Sequence, residues 1–506
     1  MHRLIYIDEP TLLFNHDQPM LDPRDGLSLF GPIDRAKPEG IRWGAVGPKE
    51  SIERLKIWVE KIQRPVVSGG DLIARPLFPG FEAAFHCVWE PKPVLEIVIP
   101  RDSLQRCAYL DDRHKRVYQT VDLYSARIKN ALRTEEVHAD LWCVVIPEYV
   151  YQTCRPESII SADEKVASTQ TMTPKLARTF HDQASLFGDI EASAEEYLYE
   201  VNFHHQLKAR LLEKRCPTQI IRETTIAHGD FRDKWGEPTR DLDDLESAIA
   251  WSLSTAVFYK AGGRPWKLGA AREGVCYLGL VFKKVKRSEH SKTACCAAQM
   301  FLDSGDGVVF KGAVGPWYRG KEGLFHLDRK SAEQVVKMCV EAYQERNEGR
   351  HPKELFIHGR VNLNNEEWAG FTRAVGKETR VVGVRIRPVN TLKLFRRQEH
   401  PVLRGIAFVI DEKKGYLWTR GLVPRLRTYV GREVPNPLLI DVCRGEADLR
   451  VVMSDILALT KLNYNACIYG DGLPVTLKFA KAVGEILTAG PARKLDVPPL
   501  PFKYYI

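Results

Sequence analysis

The 506 residues, 57.6 kDa in mass, are too many for one hydrophobic core and imply two or three domains. Hydrophobic residues at 44% and charged residues at 27% exclude wholesale disorder. No apolar run approaches the ~18 residues that span a bilayer. Acid arrives at Asp8 and Glu9, too early for a signal-peptide core. The eleven cysteines are scattered, with one adjacent pair (Cys295, Cys296) and no C-x-x-C, which points to reduced thiols and the cytosol. The net charge of +9 is concentrated: Arg380 to Arg432 holds 13 Lys/Arg against 3 Asp/Glu, so the remainder is close to neutral. A positive zone in a neutral protein implies a polyanionic partner.

In chain order, Leu4–Ile7, Ile41–Val46, Phe81–Trp89 and Val94–Ile99 read as strands. Lys49–Gln63 has helical spacing through Ile52, Leu55, Trp58 and Ile62, and a second helix covers about Val117–Leu132. Leu141–Ile146 is a continuous apolar run ending at Pro147, the form of a buried parallel strand. Residues 156–200 are polar and read as a surface insertion. Helices follow at about Phe203–Lys214 and Leu242–Lys260, flanking a short strand at Thr218–Arg222. The helical pattern stops at Gly262-Gly263-Arg264-Pro265, and the domain boundary is placed there.

Beyond it a second α/β pattern begins. Val275–Lys284, Ala297–Leu302 and Val308–Phe310 read as strands, with a turn at Gly305-Asp306-Gly307. An amphipathic helix at Arg329–Gln344 precedes the strand Glu354–His358, and helices close the chain at about Leu449–Leu462 and Pro474–Leu487.

Four residues could hold a phosphate. His204 and Lys208 are four apart on one helix face, Gln219 follows a turn at Pro217, and Lys260 ends the helix before Gly262. Charge-assisted donors of this kind bind phosphate oxygens strongly. In the basic zone, Val384-Arg385-Ile386-Arg387 alternates, so a strand puts both arginines on one face. Arg396, Arg397, Lys413, Lys414, Arg420, Arg425 and Arg427 continue the charge, with Tyr416, Trp418 and Tyr429 interleaved. That is the composition of a nucleic-acid channel, although Trp418 fits the core equally well. Lys283-Lys284-x-Lys286-Arg287 is a second basic run that borders the same groove.

The segment Lys260-Ala-Gly-Gly-Arg-Pro-Trp266 closely resembles the Lys-x-Gly-Gly-x-Pro-Trp segment at which the MID domain of Argonaute proteins passes into PIWI. Asp471-Gly-Leu-Pro474-Val-Thr476 resembles the start of the PIWI C-terminal helix, and the ending Pro501-Phe-Lys-Tyr-Tyr-Ile506 also matches. Tyr6-Ile-Asp-Glu-Pro10 with Asp25-Gly26-Leu27-x-x-Phe30-Gly31-Pro32 is similar to the opening of short prokaryotic Argonautes, and the chain overall most resembles those of SPARTA systems. The resemblance implies a Rossmann-like MID domain, residues 1–262 with an N-terminal segment, and an RNase H-like PIWI domain, residues 263–506. It assigns His204, Lys208, Gln219 and Lys260 to the 5′-phosphate of a guide strand, and Tyr151 and Arg155 to its first nucleotide. It places the Ile506 carboxylate on a Mg²⁺ shared with guide phosphates, since a cation turns carboxylate–phosphate repulsion into attraction.

The same resemblance places two catalytic carboxylates in an active PIWI domain, one after a Gly in its first strand and one in an Arg-Asp-Gly. Here those stretches read Gly279-Leu280 and Gly359-Arg360-Val361, so a chain without nuclease activity is expected. The resemblance thus implies an RNA-guided module that recognises single-stranded DNA and, with a TIR-APAZ partner chain and higher oligomerisation, switches on NAD hydrolysis in antiviral defence. A sirtuin-like NADase, an APAZ-linked nuclease, or a guided nuclease in this chain itself are the alternatives.

Overall fold

The computed structural model describes residues 3–34, 39–69, 72–134, 138–169, 171–182, 193–269, 272–284, 293–302, 307–316, 326–429, 431, 433–491 and 500–506. Its strands, in chain order, are β1 (Arg3–Tyr6), β2 (Leu12–Leu13), β3 (Pro19–Met20), β4 (Trp43–Gly47), β5 (Leu95–Val98), β6 (Leu141–Ile146), β7 (Thr218–Arg222) and β8 (Lys267–Leu268). Then come β9 (Val275–Lys284), β10 (Thr293–Leu302), β11 (Gly307–Pro316), β12 (Glu354–Gly359), β13 (Arg380–Pro388), β14 (Ile406–Val409), β15 (Lys414–Leu417), β16 (Leu438–Arg444) and β17 (Leu500–Pro501).

The first sheet has the order β5-β4-β6-β7, all parallel. Its continuous apolar runs follow from burial on both faces. Cys143 and Val145 of β6 pack with Ile52, Leu55 and Trp58 of the helix Lys49–Lys61. Trp142, Val144 and Ile146 pack on the opposite face with Val117, Val121 and Ile128 of the helix Arg113–Thr134. This is the doubly covered, Rossmann-like layer expected from strand–helix–strand order.

The second sheet is mixed, in the order β1-β14-β15-β16-β13-β12-β9-β10-β11-β17. At its centre β12 runs parallel to both β9 and β13, while β9, β10 and β11 form an antiparallel meander. Cys276, Leu278 and Leu280 pack with Val335, Val336 and Cys339 of the helix Arg329–Arg346. On the other face, Gly279 lies against the helix Val475–Leu487 so closely that a Cβ would come 2.1 Å from the Thr476 main-chain oxygen. The arrangement is RNase H-like.

Two findings differ from the sequence reading. Phe81–Trp89 is not a strand; Phe81–Phe85 is a helix, because Phe81, Ala84 and Phe85 recur at i, i+3, i+4 and all three are buried. The N-terminal strand β1 belongs to the second sheet, paired antiparallel with β14. Behind it Glu9 accepts from Arg404 Nε (2.9 Å) and Lys461 Nζ (2.8 Å), a buried ion cluster that ties the opening segment to the second half. The polar stretch 156–200 holds a short helix, Pro174–Asp182, and 3-10 turns. Lys286, Arg287 and the turn at Gly305-Asp306 lie outside the described residues, as do the side chains of Lys283, Lys284, Cys295 and Cys296.

Candidate nucleic-acid interface

Asn202 caps the helix Phe203–Leu211 by accepting from the His205 N–H, and this sets the helix phase that puts His204 and Lys208 on one face. Lys208 is 2% exposed, and its Nζ donates to the main-chain oxygens of Thr218 and Ile506, both at 2.6 Å. Lys260 is equally buried, and its Nζ donates to Gln219 Oε1 at 2.6 Å. Gln219 Nε2 in turn donates to the Ile220 carbonyl at 3.2 Å. Thus β7, two helix faces and the segment ending at Ile506 bring Lys208, Gln219, Lys260 and Ile506 together, with His204 at the solvent side.

Burial pushes the Lys208 ammonium down to about 7. Lys260 falls well below its ordinary value, through burial first and the charge of Lys208 second. His204 is also lowered, by desolvation and then by Lys208, His205 and Lys260. Its ring is open to solvent, so repulsion from the two lysines is the cause that persists there. Among the described residues no Asp or Glu side chain bonds to either amine; Lys208 meets the Thr218 and Ile506 oxygens and Lys260 the Gln219 amide. Protein oxygens suited to a hard cation are present at Ile506 and Gln219, but each already accepts from an ammonium. A Mg²⁺ therefore fits only if bound phosphates complete its shell.

The chain continues to Gly262 (φ +107) and Gly263, where a Cβ would lie 2.4 Å from the Phe258 ring. This turn delivers Trp266 into the core between the two halves, with Nε1 donating to Lys461 O at 3.0 Å and its carbonyl accepting from Tyr464 OH at 2.7 Å. No family model and no curated protein matches the chain by sequence. Solved structures match it in fold over almost its whole length. Clostridium butyricum Argonaute bound to a guide DNA and a 19-mer target DNA superposes with a TM-score of 0.63 at 14% identity, covering 100% of this chain and 55% of that one. Drosophila Piwi gives 0.57 at 12%, covering 99% and 56%. Aquifex aeolicus Argonaute gives 0.53 at 15%, covering 99% and 57%. The fold is of Argonaute type. The chain spans about half the length of these structures, and in MID–PIWI terms its first sheet is the MID layer and its second the PIWI layer.

In the MID layer, Tyr151 sits on the short helix Glu148–Thr153 after β6. The Arg155 guanidinium lies 4.4 Å from its ring centre and donates to its hydroxyl at 3.1 Å. Arg222, the last residue of β7, stacks at 3.5 Å from the same ring while paired with Glu148 at 2.6 Å. The sequence motifs do not single out Arg222. Its signal is nevertheless present: it ends the strand that carries Gln219.

In the PIWI layer, the register pairs Gly359 with Leu280, so the two stretches expected to carry carboxylates, Gly279-Leu280 and Gly359-Arg360, lie side by side. Leu280 is 2% exposed within the apolar layer, and Arg360 is exposed. His358 is buried, its Nδ1 3.0 Å from Thr476 Oγ1, and burial lowers its pKa to about 3. Among the described residues no group of three or more His, Cys, Asp or Glu could hold a metal ion.

The basic zone is less uniform than its sequence. Arg385 and Arg387 share a face of β13, with Val384 and Ile386 buried opposite, but Arg385 pairs with Asp441 at 2.6 Å. Arg425 forms a two-pronged pair with Asp25, both distances 2.7 Å, and so holds the N-terminal helix Pro23–Phe30. Arg387, Arg396, Arg397, Arg420 and Arg427 are exposed, and Arg387, Arg397 and Arg427 have no partner among the described residues. Trp418 is 1% exposed and donates to Pro435 O at 3.2 Å, so it is core and not a stacking platform. No helix among the described residues is long and apolar enough to cross a membrane.

Proposed function

We propose that this chain is a guide-binding module of the short Argonaute kind, holding a 5′-phosphorylated guide, RNA in our reading, and pairing it with complementary single-stranded DNA. The observation that carries the reading is the buried pair Lys208 and Lys260, which among the described residues has no Asp or Glu side-chain partner, only the Ile506 and Thr218 oxygens and the Gln219 amide, and which a terminal phosphate dianion would meet. His204 and Gln219 complete the donor set, Tyr151 and Arg155 with Arg222 take the first nucleotide, and the exposed arginines from Arg387 to Arg427 follow the backbone. A guide phosphate would also supply oxygens for a Mg²⁺ held by Ile506, and such a cation would neutralise charge there. The pocket's own lysines fix where the 5′ end lies.

Chemistry is assigned to a partner. Leu280 and Arg360 occupy the positions where the RNase H-like site needs acids, and a guanidinium there repels divalent cations. An APAZ-linked effector chain, a TIR NADase in the first reading and a sirtuin-like or nuclease effector in the others, then responds to target binding. That requires the target to favour the active assembly by differential binding free energy. The test is to load the chain with guide and target, with and without the product of the neighbouring reading frame, and follow NAD and DNA. NAD loss only when chain, partner and matched target are all present supports the reading. Target cutting by the isolated chain contradicts it.

A further inference from the structure

Phe395 is 72% exposed in the loop that follows β13, although large aromatic side chains normally bury their faces. Singly exposed apolar residues are common, and exposure alone decides nothing. Here, however, the ring borders a cavity of about 300 Å³ whose wall also carries His400 and Tyr429. That volume is at the lower end for a small-molecule cleft. The loop is held in place: Lys393 Nζ donates to Val434 O at 2.9 Å and Arg396 Nη1 to Pro401 O at 3.3 Å. Exposure of Phe395 is therefore built into an anchored loop.

Charge around the cavity sorts what could enter. Arg396 and Arg397 are exposed beside Phe395, and Tyr429, whose hydroxyl burial holds above its ordinary pKa, has Arg420 and Glu433 near it. Glu399 and Glu433 line the cavity itself, and Arg396 stands on the same wall. Those carboxylates disfavour a phosphate deep in the cavity, while Arg396 on its wall and its neighbour Arg397 attract one at the edge. An aromatic-walled, acid-tipped cavity flanked by guanidiniums suits a flat heterocycle whose amino groups meet the acids and whose phosphates meet the arginines. We propose that this cavity receives one unstacked nucleobase of a bound single strand, with Phe395 as the stacking face. The inference rests on the nucleic-acid reading above and adds to it a base contact outside the 5′-end pocket.

The test uses the full chain and single-stranded oligonucleotides carrying one abasic site at successive positions. In the wild type, one abasic position should weaken binding. Phe395→Ala and Phe395→Leu should each weaken binding of the intact strand by between about 5-fold and about 150-fold, and Phe395→Trp should not. In Phe395→Ala the abasic effect at that position should vanish, and the log–log salt slope should stay unchanged because no charge was removed. With the ring largely in solvent, these variants should fold as the wild type does. Wild-type binding by both Phe395→Ala and Phe395→Leu, or a flat abasic scan, overturns the proposal. So does a loss confined to binding of a partner protein. A chain that ignores the 5′-phosphate but shows the single-position abasic effect sinks the pocket assignment and keeps this one; the reverse pattern sinks this one alone.

Discussion

The cations of the MID layer and those of the PIWI layer are different instruments. Lys208 and Lys260 are few and buried, held at 2.6 Å by the main-chain oxygens of Thr218 and Ile506 and by the Gln219 amide, with pKa values lowered by desolvation. Arg387, Arg396, Arg397, Arg420 and Arg427 are many and exposed. A buried ammonium gains much from a dianion because water competes little there; an exposed guanidinium gains little per phosphate and is screened by salt. In the proposed reading the first arrangement distinguishes a terminal phosphate from a hydroxyl, and the second only counts phosphates.

The largest expected effect comes from removing the buried pair. Lys208→Ala with Lys260→Ala should abolish discrimination between 5′-phosphate and 5′-hydroxyl guides, at ~1.5–3 kcal/mol for each charged hydrogen bond removed. Titration of both guide types reads this out. Retained discrimination would place the 5′ end elsewhere. A smaller, sequence-independent loss should accompany Arg387→Gln, Arg396→Gln and Arg397→Gln together, with the log–log salt slope falling by about 0.7 for each phosphate no longer neutralised. Adding Arg385→Gln should change little more, because its charge already belongs to Asp441. If Arg385→Gln alone has the full effect, the exposed arginines are not the path.

Proton linkage sharpens the contrast. Lys260 in the free protein is depressed below its ordinary 10.5, so the unfolded chain binds the extra proton between the two values. Its contribution is therefore fully present above the unfolded value and is lost as pH falls through the folded one. Relative to Lys260→Met, the wild type should gain stability with rising pH by at most ~1.4 kcal/mol per unit, measurable by denaturant titration. A bound phosphate reverses the preference, so guide affinity should weaken as pH rises above 7, the value to which burial brings Lys208. An exposed arginine gives neither signature. The smallest effect is expected at the first nucleotide: Tyr151→Ala should cost about 1–3 kcal/mol if a base displaces one of the two guanidiniums on its ring. Unchanged affinity would mean that Arg155 and Arg222 keep the ring to themselves.

Legibility tracks the range of the interaction. The strand Leu141–Ile146 and the helix Lys49–Lys61 can be read because one periodicity repeats over several residues. His204, Lys208, Gln219 and Lys260 can be matched one by one, yet spacing alone cannot bring Lys260 onto Gln219 across 41 positions. Phe81–Phe85 reads wrongly as a strand because a short apolar run does not reveal its period. The pairing of β1 with β14, the seat of Glu9 between Arg404 and Lys461, and the neutralisation of Arg425 by Asp25 join residues about 400 or more apart. Nothing local encodes them. The basic zone shows the cost most clearly, since counting charges cannot separate a paired arginine from a free one.

The measurement that bears most directly on the central claim is the affinity of the wild-type chain for two guides of identical sequence, one 5′-phosphorylated and one 5′-hydroxyl. A marked preference for the phosphorylated guide that disappears when Lys208 and Lys260 are replaced is the predicted result. Equal affinity for the two guides in the wild type would contradict the account.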